Sequence, residues 1–247
     1  MGCNSIAGYR AVVTGAGSGI GRSLALRLVD LGCNVVITGR TKERLDAVCN
    51  EASGAGSIQS FPMDVGEPTD VARLATHLQE MGGVDIIINN AGALVNTSID
   101  ETSIDEFDAV MRTNVRGPFL MCKTFLPQLR SSEHGTIINI GSAASHNAYP
   151  NQTAYGASKH ALLGMSKSLA RELAKMMCGC TSYAQVELQQ ACFLVCEMIC
   201  VSKTYDTRRH CRYCLNSFLR TAGMQLFDEI DVRRCGKEPG LGAKNTY

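Results

Sequence analysis

Residues 11–21 of the chain read AVVTGAGSGIG. The stretch joins a short apolar strand pattern to a glycine-rich loop, and the loop opens a helical pattern that continues to Leu31. Glycines let the backbone turn tightly and let phosphate oxygens approach main-chain N–H groups, while a helix N-terminus adds a partial positive charge. A strand, a glycine loop and a helix in this order predict a site for the pyrophosphate of a dinucleotide.

The loop has the spacing Gly-x-x-x-Gly-x-Gly, which differs from the Gly-x-Gly-x-x-Gly of other dinucleotide folds. An ordinary glycine-rich turn is the alternative interpretation, and the position between a strand and a helix argues against it. The residues predicted to hold the cofactor at this loop are Thr14, Gly15, Ser18, Gly19, Ile20 and Gly21.

Strand and helix patterns alternate from this loop to about residue 175. Four further apolar strand patterns cover residues 35–37, 58–61, 84–88 and 136–140. Continuously apolar strands are typical of a parallel sheet that is buried on both faces. The sequence therefore predicts an α/β fold with a doubly wound, Rossmann-like parallel sheet, in which ligands lie beyond the carboxyl ends of the strands. A long helical pattern covers residues 104–129, and Pro118 is expected to kink or break it.

The second and third strand patterns end in polar residues that bear on the choice of cofactor. In dinucleotide folds, an arginine near the end of the second strand accommodates the 2′-phosphate of NADP. Arg40 occupies that place here, and the preceding Gly39 has no carboxylate that would repel the phosphate. A solvated surface cation is the alternative for Arg40. Asp64 is predicted to accept a hydrogen bond from the adenine amino group, or otherwise to cap a turn, and Val65 is included in the same cofactor site. We therefore predict NADP rather than NAD as the preferred cofactor.

Acid–base chemistry is suggested by a set of four residues in the second half of the predicted Rossmann domain. Tyr155 and Lys159 lie four residues apart on a predicted helix and share a face. A nearby ammonium favours the phenolate form of a tyrosine, which can then exchange a proton with an alcohol or a carbonyl oxygen. Ser142, at the end of the fifth strand pattern, is predicted to hold the substrate oxygen. Asn114 lies in a helical pattern, where it either orders a water beside Lys159 or faces solvent.

Taken in order, these motifs resemble the short-chain dehydrogenase/reductase family over about residues 7–175. The matching residues are the loop from Thr14 to Gly21, Asp64, the Asn-Asn-Ala-Gly run at 89–92, Asn114, Ser142, and the Tyr155–Lys159 pair. The resemblance implies an oxidoreductase that moves a hydride between NADP(H) and a small-molecule alcohol or carbonyl substrate. It also implies a homo-oligomer.

The resemblance further implies a role for each matched residue. Tyr155 would be the acid–base, and Ser142 would hold the substrate oxygen. Lys159 would also bind the nicotinamide ribose, and Asn114 would begin a proton relay. The residues that would support the cofactor ribose are Asn90, Ala91 and Gly92.

The family pattern stops near residue 175. Family members continue into a sixth strand that ends in a Pro-Gly pair, whereas the one such pair in this chain is Pro239-Gly240. We therefore predict two parts, a dinucleotide-binding and catalytic Rossmann domain over 1–175 and a cysteine-rich tail over 176–247, whose end is expected to be disordered. An alternative exon, a shifted reading frame or real divergence would each explain the tail.

The missing strand has consequences for the sheet and for activity. The fifth strand, residues 136–140, is expected to lose its neighbour, and residues 186–201 are expected to cover it as a helix. On this basis the chain is predicted to be a weak enzyme. The alternative function is an inactive variant that at most binds a dinucleotide.

The composition of the chain limits the classes of partner and the location that we predict for it. The 247 residues include 24 basic and 23 acidic ones, and a net charge of +1 argues against nucleic acid or a membrane surface as a partner. Apolar runs stay well short of the roughly 18 residues of a membrane span. Twelve cysteines without a secretory signal predict reduced thiols and a cytoplasmic location. The tail carries one Cys-x-x-Cys, at Cys211 and Cys214, which is too few ligands for a zinc site, so no metal is predicted.

Overall fold

A computed structural model describes residues 6–176 and 198–202 of the chain. In that part of the chain, one six-stranded sheet has the order β3-β2-β1-β4-β5-β6. The strands are β1 (Arg10–Thr14), β2 (Asn34–Gly39), β3 (Ser57–Pro62), β4 (Ile86–Asn89), β5 (Thr136–Ile140) and β6 (Met198–Ser202). The pairings among β1 to β5 are all parallel, which confirms the predicted doubly wound sheet.

Helices cover both faces of the sheet. They are α1 (Gly19–Asp30), α2 (Lys42–Glu51), α3 (Pro68–Glu80), α4 (Ile104–Met111), α5 (Gly117–Ser131) and α6 (Thr153–Met176). Buried residues of α1 and α2 pack in one apolar cluster, and those of α3, α5 and α6 pack in another. In β1, Ala11 and Val13 belong to the first cluster and Val12 to the second, because side chains alternate between the faces of a strand. Burial on both faces explains why the strands are apolar without interruption.

The long helical pattern at 104–129 is interrupted just before Pro118, the residue that was expected to kink or break it. A π-helical turn, Arg112–Arg116, separates α4 from α5, and Pro118 occupies the first turn of α5. Proline is tolerated there because the first N–H groups of a helix have no partner inside it. The break therefore falls just before Pro118 and not at it, and it places Asn114 inside the π-helical turn.

The expectation for the neighbour of β5 is wrong. Met198–Ser202 forms a strand that pairs with β5 in the antiparallel sense, with Met198 opposite Ile140 and Ser202 opposite Thr136. Part of the segment that was expected to be a helix therefore completes the hydrogen-bond ladder, since β5 otherwise exposes unpaired backbone groups. The preceding residues, 186–197, lie outside the described part of the chain.

Among the helices that the structure describes, none combines the length and the apolar character that crossing a membrane would require.

Candidate active site

The polar residues singled out in the sequence lie at the carboxyl edge of the sheet. Strands β2 and β3 lie on one side of β1, and β4 and β5 lie on the other. A parallel sheet whose strand order changes direction at this point has a crevice at the carboxyl ends of the two central strands. Thr14 ends β1, Asn89 ends β4, and Ile140 ends β5, so the motifs that follow these strands border one crevice.

The glycine loop contains two positions with a left-handed backbone. Gly15 has a φ of +65° and Gly19 has a φ of +55°, a region that residues with a side chain rarely adopt. A Cβ at Gly15 would also lie 2.7 Å from the Cα of Ala91. Ser18 precedes α1 in an extended conformation, so that α1 begins at Gly19 and Ile20 with its N-terminus toward the crevice.

Hydrogen bonds fasten this loop to the residues after β4. The Oγ1 of Thr14 accepts from the main-chain N–H groups of Asn90 and Ala91, each at 3.0 Å. The Nδ2 of Asn90 donates to the carbonyl oxygens of Thr14 at 2.9 Å and of Gly15 at 3.2 Å. A Cβ at Gly21 would collide with the same amide. The structure thus brings together the two predicted parts of a cofactor cradle, although the bonded residues are 75 and 76 positions apart in the chain.

The end of β2 presents cations beside the loop. Gly39 ends the strand, and the side chain of Arg40 is exposed. Within the part of the chain that the structure describes, Arg40 has no hydrogen bond or ion pair. Arg44, in the first turn of α2, lies close by, since a Cβ at Gly17 would lie 3.1 Å from its Cβ.

Asp64 lies in a turn after β3, so the turn-capping interpretation fits the structure. Its Oδ1 accepts from the main-chain N–H of Gly66 at 2.8 Å, and its Oδ2 accepts from Nη2 of Arg112 at 3.0 Å. The residue stays half-exposed, so its carboxylate is also accessible to a ligand. Val65 is buried, and it packs closely against Gly117 at the start of α5.

Asn114 is buried, with 1% of its surface exposed, and the solvent-facing alternative is wrong. Its Oδ1 accepts from the N–H of Ala93 at 2.7 Å, and its Nδ2 donates to the carbonyl of Ala93 and to Oγ of Ser158, both at 2.9 Å. The side chain is therefore an anchor between the segment after β4 and α6. Pro118 lacks the N–H that would bond the Asn114 carbonyl in an uninterrupted α-helix.

Lys159 and Tyr155 lie on the face of α6 that meets the end of β5. Lys159 is 5% exposed, its Nζ donates to the carbonyl oxygen of Ile140 at 2.9 Å, and it lies 5.7 Å from the centroid of the Tyr155 ring. A buried ammonium requires such partners because desolvation is costly. Tyr155 is half-exposed, so it is accessible from the crevice.

Ser142 begins a 3₁₀ turn, Ala143–Ser145, that packs against α6. Its Oγ accepts from the N–H of Ala144 at 3.2 Å, while its own N–H donates to Oγ of Ser145 at 3.1 Å. The hydroxyl of Ser142 is thus held at the end of β5, two residues after the carbonyl that holds Lys159, and its proton stays available to a substrate oxygen.

Two residues at this site were missed by the sequence reasoning. Ser158 is fully buried and links Asn114 to α6, because its Oγ also donates to the carbonyl oxygen of Tyr155 at 2.7 Å. Arg112 bridges Asp64 and Glu67. The position of Ser158 between Tyr155 and Lys159 was a usable signal, since a serine on the inner side of a buried helix needs a partner.

Buried thiols are unsuited to nucleophilic chemistry in the described part of the chain. Burial, with a smaller contribution from Asp85, raises the pKa of Cys33 to about 12. Burial also raises the pKa of Cys122 to about 12. Such thiols stay protonated and inert. Among the described residues, no three His, Cys, Asp or Glu side chains are grouped to hold a metal ion. Apart from Cys200 in β6, the cysteines of the tail lie outside that part.

Comparison with known proteins identifies the family. The family described as short chain dehydrogenase matches residues 9–191. An uncharacterized oxidoreductase from Staphylococcus aureus is 37% identical over 166 residues, which are 67% of this chain and 71% of that protein. A D-beta-hydroxybutyrate dehydrogenase from Rhizobium meliloti is 32% identical over 169 residues, which are 67% of this chain and 66% of that protein.

Solved structures show the same likeness. A metagenomic short-chain oxidoreductase in complex with NADP has a TM-score of 0.67 and 37% identity, over 70% of this chain and 80% of that one. A putative short-chain alcohol dehydrogenase from Sinorhizobium meliloti 1021 has a TM-score of 0.67 and 31% identity, over 70% of each chain. This chain therefore belongs to the short-chain dehydrogenase family, whose members are oxidoreductases that use a nicotinamide dinucleotide and act on small molecules.

Proposed function

We propose that the chain is an NADP(H)-dependent oxidoreductase that interconverts a small alcohol and its carbonyl compound. The observation that carries this proposal is the buried ammonium of Lys159, which is held by the Ile140 carbonyl and lies 5.7 Å from the centroid of the Tyr155 ring. A cation in this place stabilises negative charge on the phenol oxygen. Few purely structural arrangements require a buried lysine next to a solvent-accessible tyrosine.

Each residue then has a defined task. Tyr155 donates its proton to the carbonyl oxygen during reduction and removes one from the alcohol during oxidation. Ser142 holds the substrate oxygen with its hydroxyl proton, which the contacts of its Oγ leave free. Lys159 stabilises the phenolate, and Asn114 starts the proton relay. A bound nicotinamide dinucleotide supplies or accepts the hydride.

The residues of the loop fit such a cofactor. A Cβ at Gly15 or Gly21 would collide with the segment after β4, so glycine at both positions lets the loop and that segment close into the proposed cradle. Main-chain N–H groups at the start of α1 would hold the pyrophosphate. The other predicted ligands of the cofactor are Thr14, Ser18, Gly19, Ile20, Asp64, Val65, Asn90, Ala91 and Gly92, with Tyr155 and Lys159 on the nicotinamide side.

The preference for NADP rests on the cations after β2. The guanidinium of Arg40 is exposed and has no ion pair within the described residues, so a 2′-phosphate would not have to displace a carboxylate. Gly39 adds no negative charge, and Arg44 adds a second cation beside the loop. One charge-assisted hydrogen bond contributes about 1.5–3 kcal/mol.

The assay for turnover follows NADPH consumption by residues 1–247 with a panel of small aldehydes and ketones. We expect measurable activity that Tyr155→Phe abolishes while NADPH affinity is retained. Tyr9→Phe is the matched control, because Tyr9 precedes β1 at the opposite edge of the sheet. Near-normal turnover in Tyr155→Phe would rule out the mechanism. NADPH binding without turnover of any substrate would favour the inactive alternative.

The cofactor preference is tested by calorimetric titration with NADPH and NADH. We expect tighter binding of NADPH, and we expect Arg40→Ala to remove most of the difference. Lys123→Ala, which removes an exposed cation from α5, is the control. Equal affinities in the wild-type protein would contradict the assignment.

The remaining expectations stay predictions: the division of the chain at residue 175, the homo-oligomer and the cytoplasmic location. Apart from Met176, the last residue of α6, and residues 198–202, the predicted tail lies outside the described residues.

A further inference from the structure

The side chain of Arg112 joins the π-helical turn to the segment after β3. Its Nη2 donates to Oδ2 of Asp64 at 3.0 Å and also pairs with the carboxylate of Glu67. The side chain crosses the face of Gly66, where a Cβ would lie 2.7 Å from Cγ of Arg112. Because Gly66 has no side chain, it leaves room for the Arg112 side chain to reach Asp64.

A second contact joins the same two segments. A Cβ at Gly117 would lie 2.8 Å from Cγ1 of Val65, so the start of α5 packs directly on the residue next to Asp64. The π-helical turn, which contains Asn114, is thus fixed at both of its ends to the turn that contains Asp64.

The carboxylate of Asp64 is held at both oxygens. Oδ1 accepts from the N–H of Gly66 at 2.8 Å, and Oδ2 accepts from Arg112. Each carboxylate oxygen can accept a further hydrogen bond. Because Arg112 is shared with Glu67, two negative charges face one positive charge, and the cluster still attracts a hydrogen-bond donor. An amino group suits this place, whereas a carbonyl oxygen would be repelled.

We propose that Arg112 is a positioning residue for the adenine of the cofactor. It fixes the plane of the Asp64 carboxylate so that a free lone pair faces the 6-amino group of adenine. The inference rests on the proposed function, in which Asp64 accepts that hydrogen bond. Arg112 touches no reacting atom, and its effect is therefore expected in cofactor recognition and not in turnover at saturating cofactor.

The test compares two ligands on the same protein. NADPH carries the 6-amino group, and its hypoxanthine analogue carries a 6-oxo group in its place. We expect the wild-type protein to bind NADPH about tenfold more tightly, in line with a hydrogen bond to a charged acceptor. Asp64→Ala should remove most of that ratio, and Arg112→Met should reduce it to about twofold. The double variant should lose no more than Asp64→Ala alone.

Further variants separate positioning from folding. Because both ligands are titrated into one preparation, an unfolded fraction cancels in the ratio of the two dissociation constants. Arg112→Gln serves if Arg112→Met does not fold. Arg112→Lys should restore part of the ratio, since an ammonium reaches one carboxylate but lacks the two-sided fork of a guanidinium. Lys167→Met is the matched control, because Lys167 is an exposed cation on α6 that is not among the hydrogen-bond partners of Asp64.

The outcomes separate a failure of the proposed function from a failure of the role proposed for Arg112. Failure of the wild-type protein to bind NADPH would overturn the proposed function and this inference with it. Equal affinity for the two purines would overturn the adenine contact of Asp64 and so the role of Arg112. An intact ratio in Arg112→Met, with the ratio lost in Asp64→Ala, would overturn the role of Arg112 alone.

Discussion

The Nζ of Lys159 donates a 2.9 Å hydrogen bond to the carbonyl oxygen of Ile140, the last residue of β5. This bond spans a distance of 19 residues along the chain and fixes the face of α6 against the end of the strand. The ammonium is almost fully buried, and its distance to the Tyr155 ring is set by the same contact. The charge is therefore positioned before any substrate binds.

Replacing Lys159 by methionine tests the double task proposed for this ammonium. The variant keeps the apolar stem but loses the charge, so we expect NADPH affinity to fall about tenfold and turnover to fall by about 100-fold or more. Calorimetry and steady-state kinetics measure the two losses separately. Tyr155→Phe is the comparison, because it should lose turnover while NADPH affinity stays largely intact. Unchanged affinity in Lys159→Met would contradict its contact with the cofactor ribose.

Gly15→Ala tests the cradle between the glycine loop and the segment after β4. The new Cβ would meet the Cα of Ala91 at 2.7 Å on a backbone with φ of +65°. We expect a loss of about 1–3 kcal/mol in the free energy of unfolding and a large loss of NADPH affinity. Denaturant titration and calorimetry measure both. Gly164→Ala is the control, because nothing lies within 4 Å of its added Cβ and alanine favours a helix. Wild-type affinity in Gly15→Ala would contradict the placement of the cofactor.

The sheet and the glycine loop could be predicted because their signals are local. Uninterrupted apolar strands require burial on both faces, and the glycines of the loop are required by the backbone at Gly15 and Gly19. The position of Lys159 beside Tyr155 followed from the spacing of a helix. These features depend on neighbours within a few residues, so the sequence contains them almost directly.

Other features depend on contacts between distant parts of the chain. The bridge from Arg112 to Asp64 joins residues 48 positions apart, and no spacing rule points to it. The burial of Asn114 depends on Ala93 and Ser158, which lie on two other segments. The antiparallel pairing of β6 was missed because residues 186–201 have a helix-like apolar spacing, while the open edge of β5 favours a strand.

Ser158→Ala tests the anchor between α6 and the π-helical turn. The change leaves one N–H of the buried Asn114 amide without its partner, and we expect a loss of about 1–3 kcal/mol in the free energy of unfolding. Because Asn114 starts the proposed proton relay and does not belong to the glycine loop, kcat should fall by more than NADPH affinity. Ser131→Ala is the matched control. Ser131 is exposed at the end of α5, and its hydroxyl donates to a main-chain carbonyl four residues earlier. An equal loss of kcat in both variants would contradict this role.

The ion pair between Arg10 and Asp85 predicts how stability depends on pH. Burial raises the pKa of Asp85, but hydrogen bonds from Arg10 and from Ser132 outweigh it, and the pKa lies below its ordinary value. A carboxyl whose pKa is lowered by folding binds fewer protons in the folded state than in the unfolded state near that pKa. Its contribution to stability is therefore complete above about pH 4 and is lost as the pH falls through the folded-state pKa.

We expect Asp85→Asn to flatten this acid dependence. The variant will be less stable at neutral pH, because Arg10 loses its charged partner. The informative quantity is therefore how steeply the free energy of unfolding changes with pH, and not its absolute value. Denaturant titrations at a series of values below about pH 6 give the free energy of unfolding and its slope for each protein. Asp100→Asn is the control, because Asp100 is exposed and its replacement should leave the slope of the wild-type protein unchanged. A slope in Asp85→Asn as steep as that of the wild-type protein would show that other carboxylates, and not Asp85, govern the acid sensitivity.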